Sequence, residues 1–89
     1  MPVVSKIKQP LFIPSIGKTV EVNWRTVESS NVMGVGWDKH GNMYVMFNSG
    51  ALYAYLDVPY QRAVWAAYHK STGSYINNRV KRRYRFVRL

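Results

Sequence analysis

The residues of this sequence best suited to chemistry are cations crowded near its end. Six lie within ten residues, namely Arg79, Lys81, Arg82, Arg83, Arg85 and Arg88. From Val58 onward there is no carboxylate to neutralise them, and the net charge of the chain is +9. Such a concentration opposes compaction, and it indicates a polyanionic partner such as nucleic acid. The alternatives are a solvated face that only aids solubility, an acidic protein surface or an anionic membrane.

Aromatic side chains interrupt this basic segment and can stack on unpaired bases. Tyr84 suits the core better, because it continues an apolar stripe, whereas Phe86 suits either role. The predicted nucleic-acid-binding residues are Lys70, Arg79, Lys81, Arg82, Arg83, Arg85, Phe86 and Arg88. No helix-turn-helix, zinc-finger or RNP-type strand signature accompanies them. We therefore expect recognition of the backbone or shape with little sequence readout, with RNA and single strands among the candidate ligands.

The sequence offers little for catalysis. His40 and His69 are its only imidazoles, and Asp38 with His40 is the only local acid–base pair. That spacing is typical of a turn, and His69 suits a cation at a helix end. There is no cysteine and no Gly-rich phosphate loop. We predict a protein that is not an enzyme and holds no metal or cofactor.

Length and composition indicate one small globular domain. The chain has 89 residues, of which 47% are hydrophobic. The absence of cysteine excludes a disulfide framework and fits a reducing compartment. No apolar run is long enough for a membrane span or a signal-peptide core. We therefore predict a cytoplasmic protein that is neither exported nor bound to a membrane.

Alternating apolar and polar residues predict a small antiparallel sheet. The expected strands are Lys18–Arg25, Val32–Trp37, Met43–Phe47 and Ala51–Leu56. A three-residue loop with Gly50 in the left-handed conformation should join the last two strands. This hairpin pairs Val45 with Tyr53 and Met43 with Tyr55. Gly34 and Gly36 in the second strand suggest a close backbone approach or a bulge.

Both faces of this sheet are apolar, so each needs a cover. Helices can cover one face. The other face carries Tyr44, Met46, Leu52, Ala54 and Leu56. Residues 1–15 should be irregular, and we expect an extended clip within them, Leu11–Ile13 between two prolines, to cover this face. A homodimer is the alternative, and the sequence leaves monomer and dimer open.

Two short helices should follow the strands. The first runs from about Val58 to His69, with Asp57 as its N-cap. Its apolar stripe consists of Tyr60, Ala63, Val64, Ala67 and Tyr68. Ser74 caps the second helix, on which Ile76, Val80 and Tyr84 share one face while Arg79, Arg82 and Arg83 share another. The predicted fold is α+β, a meander of three to four strands followed by two helices and a basic tail, residues 83–89.

The stretch from Ser29 to Phe86 resembles the KTSC domain, a short module named for its place at the C-terminus of some lysyl-tRNA synthetases. Stand-alone bacterial and phage proteins also contain it. The matching motifs are Val35-Gly36-Trp37-Asp38, then Met43-x-Val45-x-Phe47-x-x-Gly50-x-x-Tyr53-x-Tyr55-x-x-Val58-Pro59, and Ser71-x-Gly73-Ser74-Tyr75-Ile76-Asn77-x-x-Val80-Lys81-x-x-Tyr84. The resemblance divides the chain into an N-terminal extension with one strand, residues 1–28, and a KTSC-like domain, residues 29–89. Trp37 replaces the tyrosine usual in the family.

The family has no well-established activity. Its association with a tRNA enzyme implies nucleic-acid binding, RNA especially, but this is an argument by association. The alternative function is that of a protein-interaction module, and a phage is one source considered for it. Such a module docks on an acidic surface of a host nucleic-acid-processing enzyme and modulates it.

Overall fold

A computed structural model of the chain describes residues 6–13 and 17–89. They form a six-stranded antiparallel sheet in which each strand pairs with the next in chain order. The strands are β1 (Lys6–Ile13), β2 (Lys18–Thr26), β3 (Val32–Trp37), β4 (Met43–Phe47), β5 (Leu52–Tyr55) and β6 (Phe86–Arg88). The helices α1 (Tyr60–Tyr68) and α2 (Thr72–Arg79) lie between β5 and β6. The predicted α+β class, with a meander followed by two helices, is confirmed.

The sheet is larger than the three to four strands predicted, because both ends of the chain add to it. Leu11–Ile13, predicted as an extended clip, belongs to β1, which is paired with β2 along its whole length. The extension of residues 1–28 therefore contains two strands rather than one. Pro10 is tolerated within β1 because this strand lies at the sheet edge. The rest of the predicted N-terminal segment, residues 1–5 and 14–15, lies outside the described residues.

The C-terminal end of the predicted basic tail is also a strand. In β6, Phe86 lies opposite Tyr55 and Arg88 lies opposite Tyr53. The Leu56 amide donates to the carbonyl of Arg85 at 2.8 Å and continues the ladder beyond β6. The last residues thus complete the sheet rather than extend from it.

The β4–β5 hairpin matches its prediction. Val45 pairs with Tyr53 and Met43 pairs with Tyr55. Gly50 has a φ of +93° in the connecting loop, a conformation that glycine adopts without steric cost. Local turn chemistry therefore sets the register that places both tyrosines on the helix-covered face.

The main core lies between this face of the sheet and the two helices. Its buried members are Val32, Val35, Trp37, Met43, Val45, Tyr55, Val58, Ala63, Ala66, Ala67, Ile76 and Val80. On α1 the buried side chains are the three alanines, whereas Tyr60 and Tyr68, predicted to be buried, are exposed. The buried stripe is therefore rotated towards Ala66 and consists of small side chains.

On the opposite face of the sheet, side chains of β2 pack with those of β4 and β5. Val22, Tyr44 and Ala54 are buried there. The Trp24 indole lies across two glycines of β3, since a Cβ at Gly34 or at Gly36 would fall 2.5 Å from its ring atoms. The close approach expected at these glycines is therefore explained by an indole ring. Homodimerisation through this face stays a prediction.

The helix ends differ from the predicted caps. Asp57 has a φ of +55° and precedes α1 by three residues, so it is not the N-cap. Ser74 lies inside α2, which follows Ser71. After Arg79 the amides of Val80 and Lys81 both bond the Ile76 carbonyl, an arrangement that ends a helix. Arg82 and Arg83 therefore lie in a turn and do not share a helix face with Arg79.

Within the described ranges, neither helix is long and apolar enough to cross a bilayer.

The turn between β3 and β4 is organised by a buried carboxylate. Asp38 is 4% exposed. Its Oδ1 accepts from the amides of His40 at 2.8 Å and Asn42 at 3.0 Å. Its Oδ2 accepts from Asn42 Nδ2 at 3.0 Å and from the Tyr44 hydroxyl at 2.7 Å. The one acid–base pair in the sequence is thus used for turn structure, and His40 takes part only through its backbone.

These hydrogen bonds predict acid sensitivity. Burial alone would raise the pKa of Asp38, but the bonds from Tyr44, Asn42 and His40 outweigh it and hold the pKa below its usual value. The stabilisation is therefore complete above the unfolded-state pKa of about 3.9 and is lost as the pH falls through the lower folded-state pKa. We expect the thermal midpoint, followed by circular dichroism, to fall below about pH 4.

Asp38→Asn should cost about 1 to 3 kcal/mol at neutral pH, because a charged acceptor is lost. It should also reduce the loss of stability between neutral and acid pH. Asp57→Asn is the matched control, since this carboxylate is exposed and should leave the acid sensitivity intact. An acid loss of the same size in wild type and Asp38→Asn would contradict this account.

Candidate nucleic-acid interface

A cleft opens beside the C-terminal strand, and four elements of the fold contribute to it. It has a volume of about 550 Å³ and is lined by Tyr53, Tyr55, Asn77, Asn78, Lys81, Arg82 and Phe86. We call this the aromatic cleft. β5 supplies the tyrosines, β6 the phenylalanine, α2 the asparagines, and the turn after α2 the two cations. The cleft exists because β6 pairs with β5 and brings residues from the chain end beside the central hairpin.

The floor of the aromatic cleft is a ladder of rings. Strand alternation places Tyr53 and Tyr55 on one face, and the register sets Phe86 beside them. Phe86 stacks on Tyr53 with centroids 5.3 Å apart and planes at 11°. Phe47 meets the other side of Tyr53 edge-on at 5.5 Å. The ladder thus runs from β4 across β5 to β6.

Exposure changes sharply along this ladder. Tyr55 is buried, and this burial, with a smaller contribution from Tyr53, raises the pKa of its hydroxyl, so Tyr55 stays neutral at physiological pH. Phe86 is 55% exposed despite its stack on Tyr53. Tyr84, in contrast, packs against the main core, as expected from its place on the apolar stripe. Phe86 is therefore the aromatic residue of the C-terminal segment that is available to a ligand.

The cations near the cleft are not used to hold the fold together. All six from Arg79 to Arg88 are exposed, and among the described residues none has an ion pair or a side-chain hydrogen bond. Lys81 Nζ lies 5.4 Å from the centroid of the Phe47 ring. The absence of carboxylate partners leaves this charge available to a polyanion.

Two other arginines show what a structural cation looks like in this chain. Arg25 donates from Nη1 to the Ala67 carbonyl at the end of α1, and its guanidinium lies 3.9 Å from the Tyr68 ring centroid. Arg62 Nη1 donates to the Tyr75 hydroxyl at 3.4 Å. Both side chains are partly buried and join elements of the fold. The C-terminal cations differ from them in being exposed and in making no side-chain hydrogen bond within the described ranges, although Lys81 lies over the Phe47 ring.

The structure brings only part of the predicted set together. Lys81, Arg82 and Phe86 line the aromatic cleft, and Arg88 lies opposite Tyr53 on the neighbouring strand. Arg79, Arg83 and Arg85 are exposed nearby but do not line it. Lys70 lies elsewhere, in a second cleft with Glu28 and the start of α2. The predicted residues therefore include the centre of the cleft and several cations outside it.

Sequence reasoning missed four lining residues of the cleft. Tyr53 and Tyr55 share a face with Val45 and Phe47, a pattern that favours core packing over base stacking; Tyr55 is buried, whereas Tyr53 is half-buried against the core. Asn77 belongs to the third motif of the family resemblance, which implies no binding role for it, and Asn78 lies between motif positions. The β5–β6 pairing brings Phe86 beside the two tyrosines, and the three residues of β6 are too few for their sequence to predict a strand.

The described part of the chain shows no constellation for metal chemistry. No group of three or more His, Cys, Asp or Glu side chains there is placed to hold an ion. His69 Nδ1 accepts from the Ser71 amide at 2.9 Å at the end of α1. The arrangement in the aromatic cleft, with rings, amides and cations, suits binding.

Comparisons with known proteins agree with this fold. The family model of the KTSC domain matches residues 28–84, which confirms the resemblance in the sequence motifs. The crystal structure of a KTSC domain protein from Yersinia pestis is similar, with a TM-score of 0.71 and 20% sequence identity. The match covers 76% of this chain and 97% of that protein, and at this identity it shows the fold alone. No curated protein matches the chain.

Proposed function

This chain belongs to the KTSC domain family, and on that premise we propose that it is a small non-enzymatic protein that binds the nucleic-acid backbone with little sequence specificity. One observation carries the proposal. Six exposed cations without carboxylate partners lie at the end of the chain, and two of them line a cleft floored by aromatic rings. Family membership supplies the fold and leaves the activity to be argued from this surface.

The charge distribution favours a polyphosphate ligand over simple solubility. A solvated face that only aids solubility needs no particular neighbours for its charges. Here Lys81 and Arg82 line a cleft with the exposed Phe86 ring and two carboxamides, so phosphate, base and sugar can each find a partner. The proposal also places the protein in the cytoplasm, where nucleic acid and a reducing environment coincide.

Salt dependence tests the proposal on the wild-type protein. If four to six cations contact phosphates, log K plotted against log salt should fall with a slope of roughly −3 to −5. Fluorescence anisotropy measures this slope when labelled oligonucleotides are titrated at several salt concentrations, from about 50 to about 300 mM. A slope near zero, or no binding at low salt, would contradict the proposal.

A second function is favoured by a different surface. α1 exposes Tyr60, Trp65 and Tyr68, and Trp65 is 66% exposed. Exposed aromatic residues of this kind are enriched in protein interfaces. This helix does not line the aromatic cleft, so the chain could dock on an acidic surface of a nucleic-acid-processing enzyme through α1. A partner that stays bound after nuclease treatment and is lost in Trp65→Ala would favour this alternative.

A further inference from the structure

We propose that the aromatic cleft is selective for single-stranded nucleic acid and stacks an unpaired base on Phe86. The inference rests on the proposed function and narrows its ligand to one class. Three kinds of group line the one cleft: aromatic rings, carboxamides and cations. Each kind recognises a different part of an unpaired nucleotide.

The ring of Phe86 provides the stacking surface. It packs in parallel on Tyr53, with an interplanar angle of 11° and a centroid distance of 5.3 Å, yet 55% of the residue remains exposed. Tyr55, 5.9 Å from Phe86, supports it from the buried side. The ring is thus held in place by two tyrosines while much of it stays exposed to solvent. Bases of any sequence stack on such a supported ring, because every base has a π-face.

The carboxamides of α2 lie along the same cleft. Asn77 is exposed, and no described residue bonds its side chain. Asn78 donates from Nδ2 to Ser74 Oγ at 3.3 Å, which leaves its carbonyl oxygen as an acceptor. A carboxamide carries both donors and an acceptor and so complements the edge of an unpaired base. Paired bases already use these edges.

The cations complete the match with a continuous strand. Lys81 and Arg82 line the aromatic cleft, where they can contact the phosphates beside a stacked base. Lys81 and Tyr53 also line an adjoining cleft of about 340 Å³ with Phe47, Asn31 and Asn48. The two clefts adjoin at Tyr53 and Lys81, between Phe86 and Phe47, so neighbouring nucleotides of one strand can occupy both.

A duplex cannot use this arrangement. Its bases are stacked on one another and paired at their edges, so it presents mainly phosphates and groove edges to a protein surface. Binding to a duplex would engage Lys81 and Arg82 but leave the exposed part of Phe86 and the carboxamide of Asn77 in water. The cleft therefore discriminates through contacts that only the unpaired form can make.

The test compares one strand with its own duplex. Anisotropy is measured with a labelled mixed-sequence oligonucleotide, alone and annealed to its complement, at two salt concentrations. Wild type should bind the single strand at least about tenfold more tightly. Phe86→Ala should weaken single-strand binding by roughly 5- to 150-fold and leave duplex binding unchanged, whereas Phe86→Tyr should keep the preference. Phe12→Ala is the matched control, because Phe12 on β1 is 57% exposed and lies outside both clefts.

The outcomes separate this inference from the proposed function. Equal affinity for both forms, or an equal loss on both in Phe86→Ala, would overturn the selectivity while leaving nucleic-acid binding intact. No binding to either form by wild type would remove the proposed function itself. If circular dichroism shows that Phe86→Ala is unfolded, Asn77→Ala at the exposed rim replaces it. That variant must then show the same selective loss for single strands.

Discussion

Replacing Lys81 and Arg82 together by glutamine is expected to weaken nucleic-acid binding by roughly 25- to 60-fold at 0.1 M salt. Two fewer phosphate contacts reduce the slope of log K against log salt by about 1.4 for single strands and 1.8 for duplexes. The thermal midpoint should hardly change, because both side chains are exposed and neither has a carboxylate partner among the described residues. Anisotropy titrations at several salt concentrations measure both the affinity and the slope.

The matched control is Lys39→Gln with Lys70→Gln. It lowers the net charge by the same two units but leaves the aromatic cleft intact. Lys39 lies in the β3–β4 turn, and Lys70 lines a different cleft. We expect a much smaller loss of affinity, because a local contact is worth more than a distant charge under screening. If both double variants weaken binding equally, overall charge rather than the cleft governs binding.

Gly36→Ala is expected to destabilise the fold by about 1 to 3 kcal/mol. The added Cβ would fall 2.5 Å from the Trp24 ring and 2.6 Å from Val22 Cγ1, which is closer than atoms can pack. Because Val22 is buried and the indole lies flat on β3, neither side chain can move aside cheaply. Thermal denaturation should show a midpoint lower by about 4 to 8 °C per kcal/mol. Met33→Ala, at an exposed position of the same strand, should stay within about 0.5 kcal/mol of wild type.

A double-mutant cycle identifies the ring responsible. In a Trp24→Ala background the indole is gone, so the cost of Gly36→Ala should shrink. The residual cost then reports the contact with Val22. An undiminished cost would show that the indole is not what excludes a side chain at position 36.

The features predicted correctly from the sequence are those specified by local patterns. The alternation of apolar and polar residues, together with Gly50, was enough to predict the register of β4 and β5. The reason is that the length and conformation of a hairpin loop determine which residues of its two strands pair. The helix ends were predicted less well, because the N-cap preference of Asp57 was overridden by the chain path after β5. There its backbone is left-handed, and the Val58 amide bonds the Gly41 carbonyl at 2.8 Å.

The candidate site shows the same division between local and long-range information. The cations of the C-terminal segment and Phe86 among them can be read directly from the sequence. The aromatic cleft cannot be predicted in this way, because it depends on the pairing of β6 with β5 across about 30 intervening residues. A prediction of the contact between Phe86 and Tyr53 therefore requires the positions of both intervening helices. A residue list from the sequence therefore contained the charges of the site but not its shape.

The family match begins at residue 28, whereas the contacts that complete the sheet begin earlier. Trp24 covers the glycines of β3, and Arg25 holds the last turn of α1. A module cut at the family boundary would leave β3 with an open hydrogen-bonding edge, the kind of edge through which sheets recruit foreign strands and aggregate. In this protein the family match begins inside the six-stranded sheet, and the two strands that precede it move the sheet edge from β3 to β1, where Pro10 interrupts the row of backbone donors.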